Sequence, residues 1–348
     1  MKAAFLTGLR QIAVADAPAP RLTQPEDVLV RVDSVGICGS DVHYYTTGRI
    51  GPAVIKFPFV VGHECGGTIV EVGAEVDDLV AGQRIAIEPA IHCGKCDQCL
   101  RGRHHTCRNL RFLGCPGQLS GGLAEYLVMP AQCCFPLPES MTADQAALVE
   151  PLSIAVYTQR MAAAQDGAQI GILGCGPIGL SVLLALRATG EYSIFCSEPI
   201  EERLAAARRC GAEWAGNPHK VNVVAEIAKL APQGLDLVVE CAGQQEALDQ
   251  AAELLKPGGT LLIVGIPETD CVSVPIHTLR RKELTIRNVR RQNDCVLPAI
   301  DLLATGKIDM EQLATHHFPL AETQDAFDMV ANYRDGVIKA IIRVGGSS

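Results

Sequence analysis

The segment from Ile170 to Gly179 reads IGILGCGPIG and is the most informative part of the chain. Its apolar start predicts a buried strand, and Pro177 suits the first turn of a helix. Between them, Gly174, Gly176 and Gly179 permit a tight turn, a close backbone approach to a pyrophosphate, and close packing of helix on strand. Because the N-terminus of the helix attracts phosphates, the segment predicts a dinucleotide site.

An acidic residue follows this segment at the distance expected for a ribose ligand. Glu198 lies nineteen residues after Gly179, at the end of the next predicted strand. A carboxylate there accepts from both ribose hydroxyls and repels a 2′-phosphate, so NAD is favoured over NADP. Arg203 either flanks the adenosine or is a solvated helix residue. The competing interpretation is a glycine-rich turn followed by an incidental surface glutamate.

Strands and helices alternate around the glycine-rich segment. Near-continuous apolar runs predict buried parallel strands at 170–173, 193–196, 235–240 and 260–265, with a further strand at 284–289. Helices are predicted at 177–188, 201–210, 223–230 and 245–255, the last one ended by residues 256–259. This alternation predicts a doubly wound parallel sheet, which we assign to residues 151–289.

The flanking parts of the chain have a different pattern of apolar residues. Short apolar runs at 28–35, 60–72, 84–87 and 126–129, separated by Gly and Pro, predict an antiparallel β region. A helix at 296–305 and a strand at 338–344 are expected to fold back onto this region. Residues 1–150 and 290–348 are therefore predicted to form one domain, into which the parallel-sheet domain is inserted.

Composition excludes several classes of protein. Of 348 residues, 30 are Lys or Arg and 39 are Asp or Glu, and this net charge of −9 is poorly suited to binding nucleic acid. The uncharged stretch 167–186 is interrupted by glycines and therefore does not predict a membrane span.

No secretory signal is apparent before the 15 cysteines, so we expect reduced thiols and a cytoplasmic location.

Four of these cysteines lie close together in the sequence. Cys93, Cys96, Cys99 and Cys107 follow the spacing C-x2-C-x2-C-x7-C. Four thiolates suit a closed tetrahedral zinc site with no position for substrate, so a structural zinc is predicted. The alternatives are a pair of disulfides, which the reducing compartment disfavours, and an iron–sulfur cluster.

A second set of candidate metal ligands is scattered along the chain. It comprises Cys38, His63 with the adjacent Glu64, and Glu150. A thiolate, an imidazole and a carboxylate leave one position open, as a catalytic zinc requires, which would bring the zinc content to about two ions per chain. Taken singly, each residue is more often a core thiol, a satisfied histidine or a surface acid.

The order of these motifs resembles that of the zinc-dependent medium-chain alcohol dehydrogenases over essentially the whole chain. The motifs that carry the resemblance are Cys38 with Ser40, Asp41 and His43, then Gly62-His63-Glu64, the four-cysteine loop, Gly121-Gly122 through Tyr126, and Gly174-x-Gly176-x-x-Gly179. A narrower similarity to the sorbitol and xylitol dehydrogenases rests on residues 36–44, Gly48-Arg49-Ile50-Gly51, Ile87-Glu88-Pro89 and residues 149–153. In alcohol dehydrogenases the position of Glu150 holds a cysteine, so the carboxylate resembles the polyol branch.

The resemblance implies a fold, an activity and an assembly. The fold would be α/β, with a GroES-like, mostly antiparallel β catalytic domain and a Rossmann cofactor domain. The activity would be the zinc-dependent, NAD-linked oxidation of a secondary alcohol of a polyol to a ketose by hydride transfer. The partners would be a small polyol or sugar-derived substrate and further copies of the chain, in a homotetramer or homodimer, with no nucleic acid and no membrane.

The resemblance also assigns roles to residues. Cys38 and His63 would hold the catalytic zinc with either Glu64 or Glu150, the other acid acting through water. Ser40 would lie beside the reacting hydroxyl and His43 near the cofactor ribose, from where the histidine could pass the proton to solvent. Independently of the resemblance, Asp41 would orient His63 if it accepts the other ring N–H; the alternative is an ordinary turn aspartate. The substrate contacts would be Tyr44, Glu150, Arg290 and Arg291. The cofactor contacts would be Gly174, Gly176, Ile178, Gly179, Glu198, Arg203, Val264, Gly265, Ile266, Asn288, Val289 and Arg290.

Several alternatives stay open at this point. Arg291 replaces an aromatic residue expected in animal sorbitol enzymes, and adjacent arginines suit a carboxylate or phosphate, so the substrate is alternatively a sugar acid or sugar phosphate. Threonine or another small alcohol is a further candidate. Less favoured are a non-catalytic NAD-binding redox sensor and a cysteine-based regulator that uses thiols such as Cys133 and Cys134.

Overall fold

The computed structural model describes residues 1–345, which form two compact units. Unit 1 contains Met1–Glu150 and the residues from Val296 onward, and unit 2 contains Pro151–Cys295. The chain thus returns to unit 1 at residue 296, six residues later than the sequence predicts. The reason is that residues 289–295 form hydrogen bonds with the rest of unit 2. The N–H of Val289 donates to Ile263 O over 2.9 Å, and the Arg160 side chain donates to Asp294 O over 3.0 Å.

The α-helices are α1 (Gly39–Thr47), α2 (Ala143–Ala162), α3 (Pro177–Arg187), α4 (Glu201–Arg209), α5 (Val223–Leu230), α6 (Gln245–Leu254), α7 (Ile276–Lys282), α8 (Val296–Ala304) and α9 (Thr323–Ala331). Short 3-10 helices span Cys99–Arg101, His104–Thr106, Ala131–Cys133, Glu311–Leu313 and Leu320–Glu322. Within residues 1–345, no helix is long and apolar enough to cross a lipid bilayer.

The strands are β1 (Lys2–Gly8), β2 (Gln11–Asp16), β3 (Asp27–Gly36), β4 (Arg49–Ile50), β5 (Ala53–Val54), β6 (Glu64–Val72), β7 (Arg84–Ile87), β8 (Ala90–Ile91), β9 (Arg111–Phe112), β10 (Tyr126–Pro130), β11 (Cys134–Pro136), β12 (Gln169–Leu173), β13 (Ser193–Ser197), β14 (Trp214–Gly216), β15 (Leu235–Glu240), β16 (Leu255–Ile263), β17 (Thr285–Asn288), β18 (Ala314–Pro319) and β19 (Lys339–Arg343).

Unit 1 is built around a mostly antiparallel sheet. Its strand order is β11-β7-β6-β3-β19-β18, and β10 also pairs with β3. The late strand β19 pairs antiparallel with the early strand β3, which explains why the end of the described chain belongs to this unit. Alternate side chains of β3, including Val28, Val30 and Val32, are fully buried in the apolar core, as period-2 alternation dictates.

Unit 2 is a doubly wound parallel sheet of order β14-β13-β12-β15-β16-β17. The strand register brings the carboxyl ends of neighbouring strands into one row: Leu173 pairs with Ser197 and Glu240, Glu240 with Ile263, and Ile263 with Asn288. The loops that follow these five residues therefore lie along a single edge, where open α/β sheets bind ligands.

The segment 256–259 differs from the prediction, and the strand predicted at 60–72 begins only at Glu64. Residues 256–259 were expected to end a helix as a loop, but they lie within β16. Leu235 pairs with Leu255, and pairing resumes between Leu237 and Thr260, so the residues between them form an irregularity in the strand. The glycines there tolerate this geometry, since Gly258 has a φ of +78°.

Candidate functional site

Asp41 organises the two loops that carry Cys38 and His63. Cys38 caps the N-terminus of α1, and its backbone N–H donates to Asp41 Oδ2 over 3.2 Å. The N–H of Gly62 donates to Asp41 Oδ1 over 3.1 Å. One buried carboxylate therefore fixes the position of Cys38 relative to the residue that precedes His63.

His63 is buried, and its ring is held on two sides. Its Nδ1 atom lies 3.4 Å from Asp41 Oδ1, and the Phe112 ring packs against it at a centroid distance of 5.2 Å. Burial alone would lower the pKa of His63, but Asp41 and Cys38 outweigh this effect and raise the pKa well above its usual value. With Nδ1 directed at a carboxylate, Nε2 is the nitrogen left for a metal.

The two candidate acidic ligands have different surroundings. Both carboxylate oxygens of Glu64 accept from Lys339 Nζ, at 2.8 and 2.5 Å, and this pair is almost fully buried. Glu150 is buried near His63, and burial, reinforced by Glu64 and Glu88, raises its pKa to about 8. Glu64 thus has a cationic partner at hydrogen-bond distance, and for Glu150 the effect of burial exceeds the opposing effect of His63, so its ionised form is disfavoured.

This donor set fits a catalytic zinc. A thiol, an imidazole oriented by a carboxylate and a buried acid are the ligand types that zinc takes when one position stays open. These donors are spaced more widely than those of a closed site. Among the described residues, the four-cysteine loop is the one group whose ligand atoms all lie within 4.8 Å of one another.

The sulfur atoms of that loop have the spacing of a zinc tetrahedron. Cys96 Sγ lies 3.6 Å from Cys99 Sγ and 3.9 Å from Cys107 Sγ. Zn–S bonds of about 2.3 Å place tetrahedral sulfurs about 3.8 Å apart, whereas disulfide sulfurs lie about 2.05 Å apart. The disulfide alternative is therefore wrong for this loop, and no disulfide joins any cysteine in residues 1–345.

Amide groups stabilise thiolates in this loop. Cys107 Sγ accepts from the backbone N–H of Cys93 at 3.3 Å and of Asn109 at 3.4 Å. Hydrogen bonds from the Lys95 backbone and the Asn109 side chain lower the pKa of Cys93 to about 6. Zinc binds thiolates rather than thiols, so these hydrogen bonds favour metal binding at Cys93, whereas burial raises the pKa of Cys99 to about 12.

The glycine-rich turn has the steric properties that a pyrophosphate site requires. A Cβ atom at Gly179 would lie 1.9 Å from Gly174 O, so this glycine is required for helix–strand packing. Gly174 has a φ of +96°, which only glycine adopts readily. At Gly176 a Cβ would meet only Arg203, at 3.6 Å, so the space in front of the α3 N-terminus is open to a phosphate group.

Glu198 and Arg203 lie beside this turn. Glu198 Oε2 accepts from the Cys175 N–H at 2.7 Å, and Oε1 accepts from the Ile200 N–H at 3.2 Å. A carboxylate accepts about four hydrogen bonds, so capacity remains for a ribose. Burial raises the pKa of Glu198 and Arg203 opposes this effect. Arg203 is itself buried, so its interpretation as a solvated helix residue is wrong.

The other predicted cofactor residues lie along the carboxyl edge of the sheet. Ile178 is in the first turn of α3, residues 264–266 follow β16, and Asn288 ends β17. Val289 and Arg290 come next, and Arg290 is exposed. Arg291 is half-buried with a φ of +53°, a backbone conformation that non-glycine residues rarely adopt.

The predicted proton-transfer residues and one predicted substrate residue, Tyr44, share α1 in unit 1. Ser40 and His43 are three residues apart, so they lie on the same face of the helix, and both are half-buried. Tyr44 is buried, and its hydroxyl lies 3.9 Å from Cys115 Sγ.

The sequence interpretation missed three residues. Lys339 is the cation that binds Glu64, and Phe112 packs on His63. Glu240 is a buried acid at the end of β15. A charged residue that ends an apolar strand was a usable signal for Glu240, as it was for Glu198. The partner of Lys339 lies 275 residues away along the chain, and no local pattern predicts it.

Two family models match the chain. The model described as the alcohol dehydrogenase GroES-like domain matches residues 24–139. The model described as zinc-binding dehydrogenase matches residues 177–305. The first match covers Cys38, His63 and the four-cysteine loop of unit 1. The second match begins at Pro177, the first residue of α3.

Individual relatives match over nearly their whole length. Sorbitol dehydrogenase of Bacillus subtilis is 35% identical over 343 residues, which is 98% of this chain and 97% of the relative. L-idonate 5-dehydrogenase of Vitis vinifera is 35% identical over 336 residues, covering 94% and 91%. A crystal structure of an Escherichia coli oxidoreductase of unknown specificity superimposes with a TM-score of 0.93 at 31% identity, covering 99% of both chains.

Proposed function

Because the chain belongs to the zinc-dependent medium-chain alcohol dehydrogenases, in the branch of the sorbitol and xylitol enzymes, we propose that it oxidises a secondary alcohol of a polyol with NAD. Its product would be the ketose. The dehydrogenase class follows from the family, and NAD and the polyol are the specific parts of the proposal. The nicotinamide supplies the acceptor for the hydride that leaves the carbinol carbon.

The observation that carries this proposal is the buried Glu150 carboxylate beside His63. Cys38, His63 and Glu150 would hold the catalytic zinc, because Glu64 is neutralised by Lys339. Zinc, when bound, supplies the positive charge that makes a substrate hydroxyl more acidic. A carboxylate in this set is also a stronger acceptor for a neighbouring hydroxyl of a polyol than the cysteine of alcohol dehydrogenases, since sulfur accepts only weakly.

The residues of α1 would handle the substrate and its proton. The Ser40 hydroxyl would accept the proton of the substrate hydroxyl and donate its own toward His43, since both side chains lie on one face of the helix. His43 would release the proton to water. Asp41 would keep His63 in the tautomer that binds metal through Nε2.

A sugar acid is the second candidate substrate. The half-buried Arg291 with its positive φ, together with Arg290, suits bidentate recognition of a carboxylate. The relative from Vitis vinifera, named for a sugar acid, has the same 35% sequence identity to this chain as the sorbitol enzyme.

If the sugar acid is the substrate, Arg291→Ala should leave sorbitol and xylitol oxidation within about twofold of the wild type and lower aldonate oxidation about tenfold or more.

Substrate and metal are tested together. Zinc content per chain is measured alongside NADH formation from sorbitol, xylitol, an aldonate, a hexitol phosphate and threonine. We expect about two zinc ions and the highest kcat/KM for a polyol.

Cys38→Ser should abolish turnover while NADH binding and the melting temperature stay close to those of the wild type. Undiminished turnover by Cys38→Ser, or no oxidation of any polyol, would refute the proposal.

Assembly into a homodimer or homotetramer is part of the same proposal. Strand β17 is the edge of the unit 2 sheet, and no residue of the adjacent α7 is buried. The segment that connects β16 to β17 carries exposed apolar side chains, namely Ile266, Val272, Val274 and Ile276. An open strand edge with apolar neighbours favours pairing with another copy of the chain.

A further inference from the structure

Glu240 is a buried acid that the proposed reaction does not use. It is the last residue of β15, and its side chain is 1% exposed. The sheet register pairs it with Leu173, the last residue before the glycine-rich turn, and with Ile263 at the end of β16. Glu240 therefore lies in the row of residues from which the cofactor-binding loops extend.

Its hydrogen bonds join two of these loops. Oε1 accepts from the N–H groups of Ala242 and Gly243, at 2.7 and 2.6 Å. Its main-chain oxygen accepts from the N–H groups of Val264 and Gly265, at 2.9 and 3.0 Å. A Cβ atom at Gly265 would lie only 2.7 Å from Oε2, so this carboxylate oxygen directly adjoins the loop after β16.

No cation neutralises this carboxylate. Glu64 is paired with Lys339, and Glu198 interacts with Arg203. By contrast, no Lys, Arg or His in residues 1–345 forms an ion pair with Glu240, whose partners are backbone amides alone. Burial raises the pKa of Glu240, and the amide donors of this turn oppose that effect by stabilising the ionised form.

The position of Glu240 indicates which half of the cofactor would lie near its negative charge. Glu198 follows β13 on one side of the central strand β12, and Glu240 ends β15 on the other side. A dinucleotide crosses such an edge with its pyrophosphate at the glycine-rich turn. If Glu198 binds the adenosine ribose, the nicotinamide half extends over β15 and β16.

We propose that the Glu240 carboxylate favours the oxidised cofactor over the reduced one. The nicotinamide ring is cationic in NAD+ and neutral in NADH, so a buried, unneutralised negative charge near it stabilises only the bound NAD+. The bound NAD+ would thereby be a weaker hydride acceptor, and the equilibrium between bound NAD+ and bound NADH would shift toward NAD+. This inference rests on the proposed NAD dependence and adds a determinant of the redox state of the bound cofactor.

The test compares the Kd values of NAD+ and NADH, measured by calorimetry on the zinc-loaded protein without substrate. Glu240→Gln keeps an acceptor oxygen for Ala242 and Gly243 and removes the charge. We expect the ratio Kd(NAD+)/Kd(NADH) to rise about fivefold, equivalent to about 1 kcal/mol. A general loss of site geometry would weaken both complexes and leave the ratio unchanged. Glu246→Gln, an exposed acid on α6, is the matched control.

Two further variants keep the inference testable if Glu240→Gln does not fold. Glu240→Asp keeps the charge and should preserve the wild-type ratio even if both complexes weaken. Ala242→Lys adds a cation at an exposed position of the same turn and should raise the ratio, whereas Ala242→Gln should not. An unchanged ratio in Glu240→Gln, or in Ala242→Lys if the first variant does not fold, overturns the inference. Wild-type protein that binds neither nucleotide overturns the proposed function as well.

Discussion

At the scale of single residues, the buried pair of Lys339 and Glu64 connects the stability of unit 1 with its metal site. Lys339 Nζ donates to both carboxylate oxygens of Glu64 and, over 3.0 Å, to the main-chain oxygen of Ile37, the residue before Cys38. Removing either charged group would leave the other buried without a partner. The pair is therefore a stringent requirement of the fold as well as of the site.

We expect Lys339→Met to lower the free energy of unfolding by about 3–5 kcal/mol, because it leaves the Glu64 carboxylate buried and uncompensated. The double variant Lys339→Met with Glu64→Gln should recover a large part of that loss. Chemical denaturation at pH 7 measures both. A loss below about 1 kcal/mol in the single variant would show that the buried pair is not required.

We also expect the choice between NAD and NADP to depend on one residue, Glu198. Glu198→Ala should weaken NAD binding and reduce discrimination against NADP at least tenfold, because the acceptor for the ribose hydroxyls and the charge that repels a 2′-phosphate are both lost. Kd values for NADH and NADPH provide the measurement. Glu201→Ala is the control, since Glu201 is an exposed acid paired with Lys220. An unaltered preference in Glu198→Ala would argue against the ribose contact.

Single residues also mark the limit of prediction from sequence. The position of Glu198 beside the glycine-rich turn was predictable because it depends on the spacing from Gly179 along one strand–helix–strand unit. Asp41 was predictable for a similar reason, since it lies three residues after Cys38 and its side chain contacts the loop of His63. Lys339 was not predictable, because its contact with Glu64 depends on the pairing of β19 with β3, which local periodicity does not encode.

At the scale of elements, the four-cysteine loop depends on its metal more than on an apolar core. Cys96→Ser should remove about one zinc ion per chain and lower the melting temperature by several degrees, because metal binding supplies folding free energy to such a loop. Metal analysis and calorimetry provide the measurements. Cys271→Ser, at an exposed cysteine outside the loop, should change neither quantity. Equal melting temperatures for the two variants would contradict the structural role.

Asp144 links α2 to three strands of unit 1. Its carboxylate accepts from Ser34 on β3 at 3.1 Å and Arg343 on β19 at 2.7 Å, and lies 2.8 Å from His317 Nε2 on β18. Burial would raise the pKa of Asp144, but the hydrogen bond and charge of Arg343 outweigh it and lower the pKa. The ionised carboxylate is therefore part of the folded structure.

Asp144→Asn should destabilise unit 1 by about 1–3 kcal/mol at pH 7, because it removes charged contacts to Arg343 and His317. A folded pKa below the unfolded value gives stability above the unfolded pKa that is lost as the pH falls through the folded one. The difference from wild type should thus shrink below about pH 4. Denaturation curves from pH 3 to pH 7 measure it, with the exposed Asp301→Asn as control. A pH-independent difference would contradict the ionic contribution.

At the scale of the whole molecule, the proposed assembly through the open edge of the unit 2 sheet can be tested directly. If this edge forms the interface, light scattering at micromolar concentration should give the mass of a dimer or tetramer. The double variant Val274→Asp with Ile276→Asp should shift the protein toward the monomer, since it places charges in an apolar contact. Val80→Asp, at an exposed valine of unit 1, should not. A monomeric wild type would refute the proposed assembly.

The two units differ in how far the sequence predicts them. The strands and helices of unit 2 follow from hydrophobic periodicity, and the observed bounds of α5 are those predicted. In unit 1 the sequence predicts strands but not their order, because antiparallel pairing between distant segments is specified by the packed core. The class of chemistry was therefore predictable, whereas the partners of the buried acids required the three-dimensional structure.

The position of β19 between β3 and β18 has a consequence for biosynthesis. Unit 2 is translated before β18 and β19, so it can begin to acquire its structure while unit 1 still lacks two neighbouring strands. Until β19 arrives, Glu64 has no ammonium partner and the nascent first unit exposes the open side of β3. Chaperones that shield unpaired strands would therefore act on the early half of the nascent polypeptide until translation has passed Arg343.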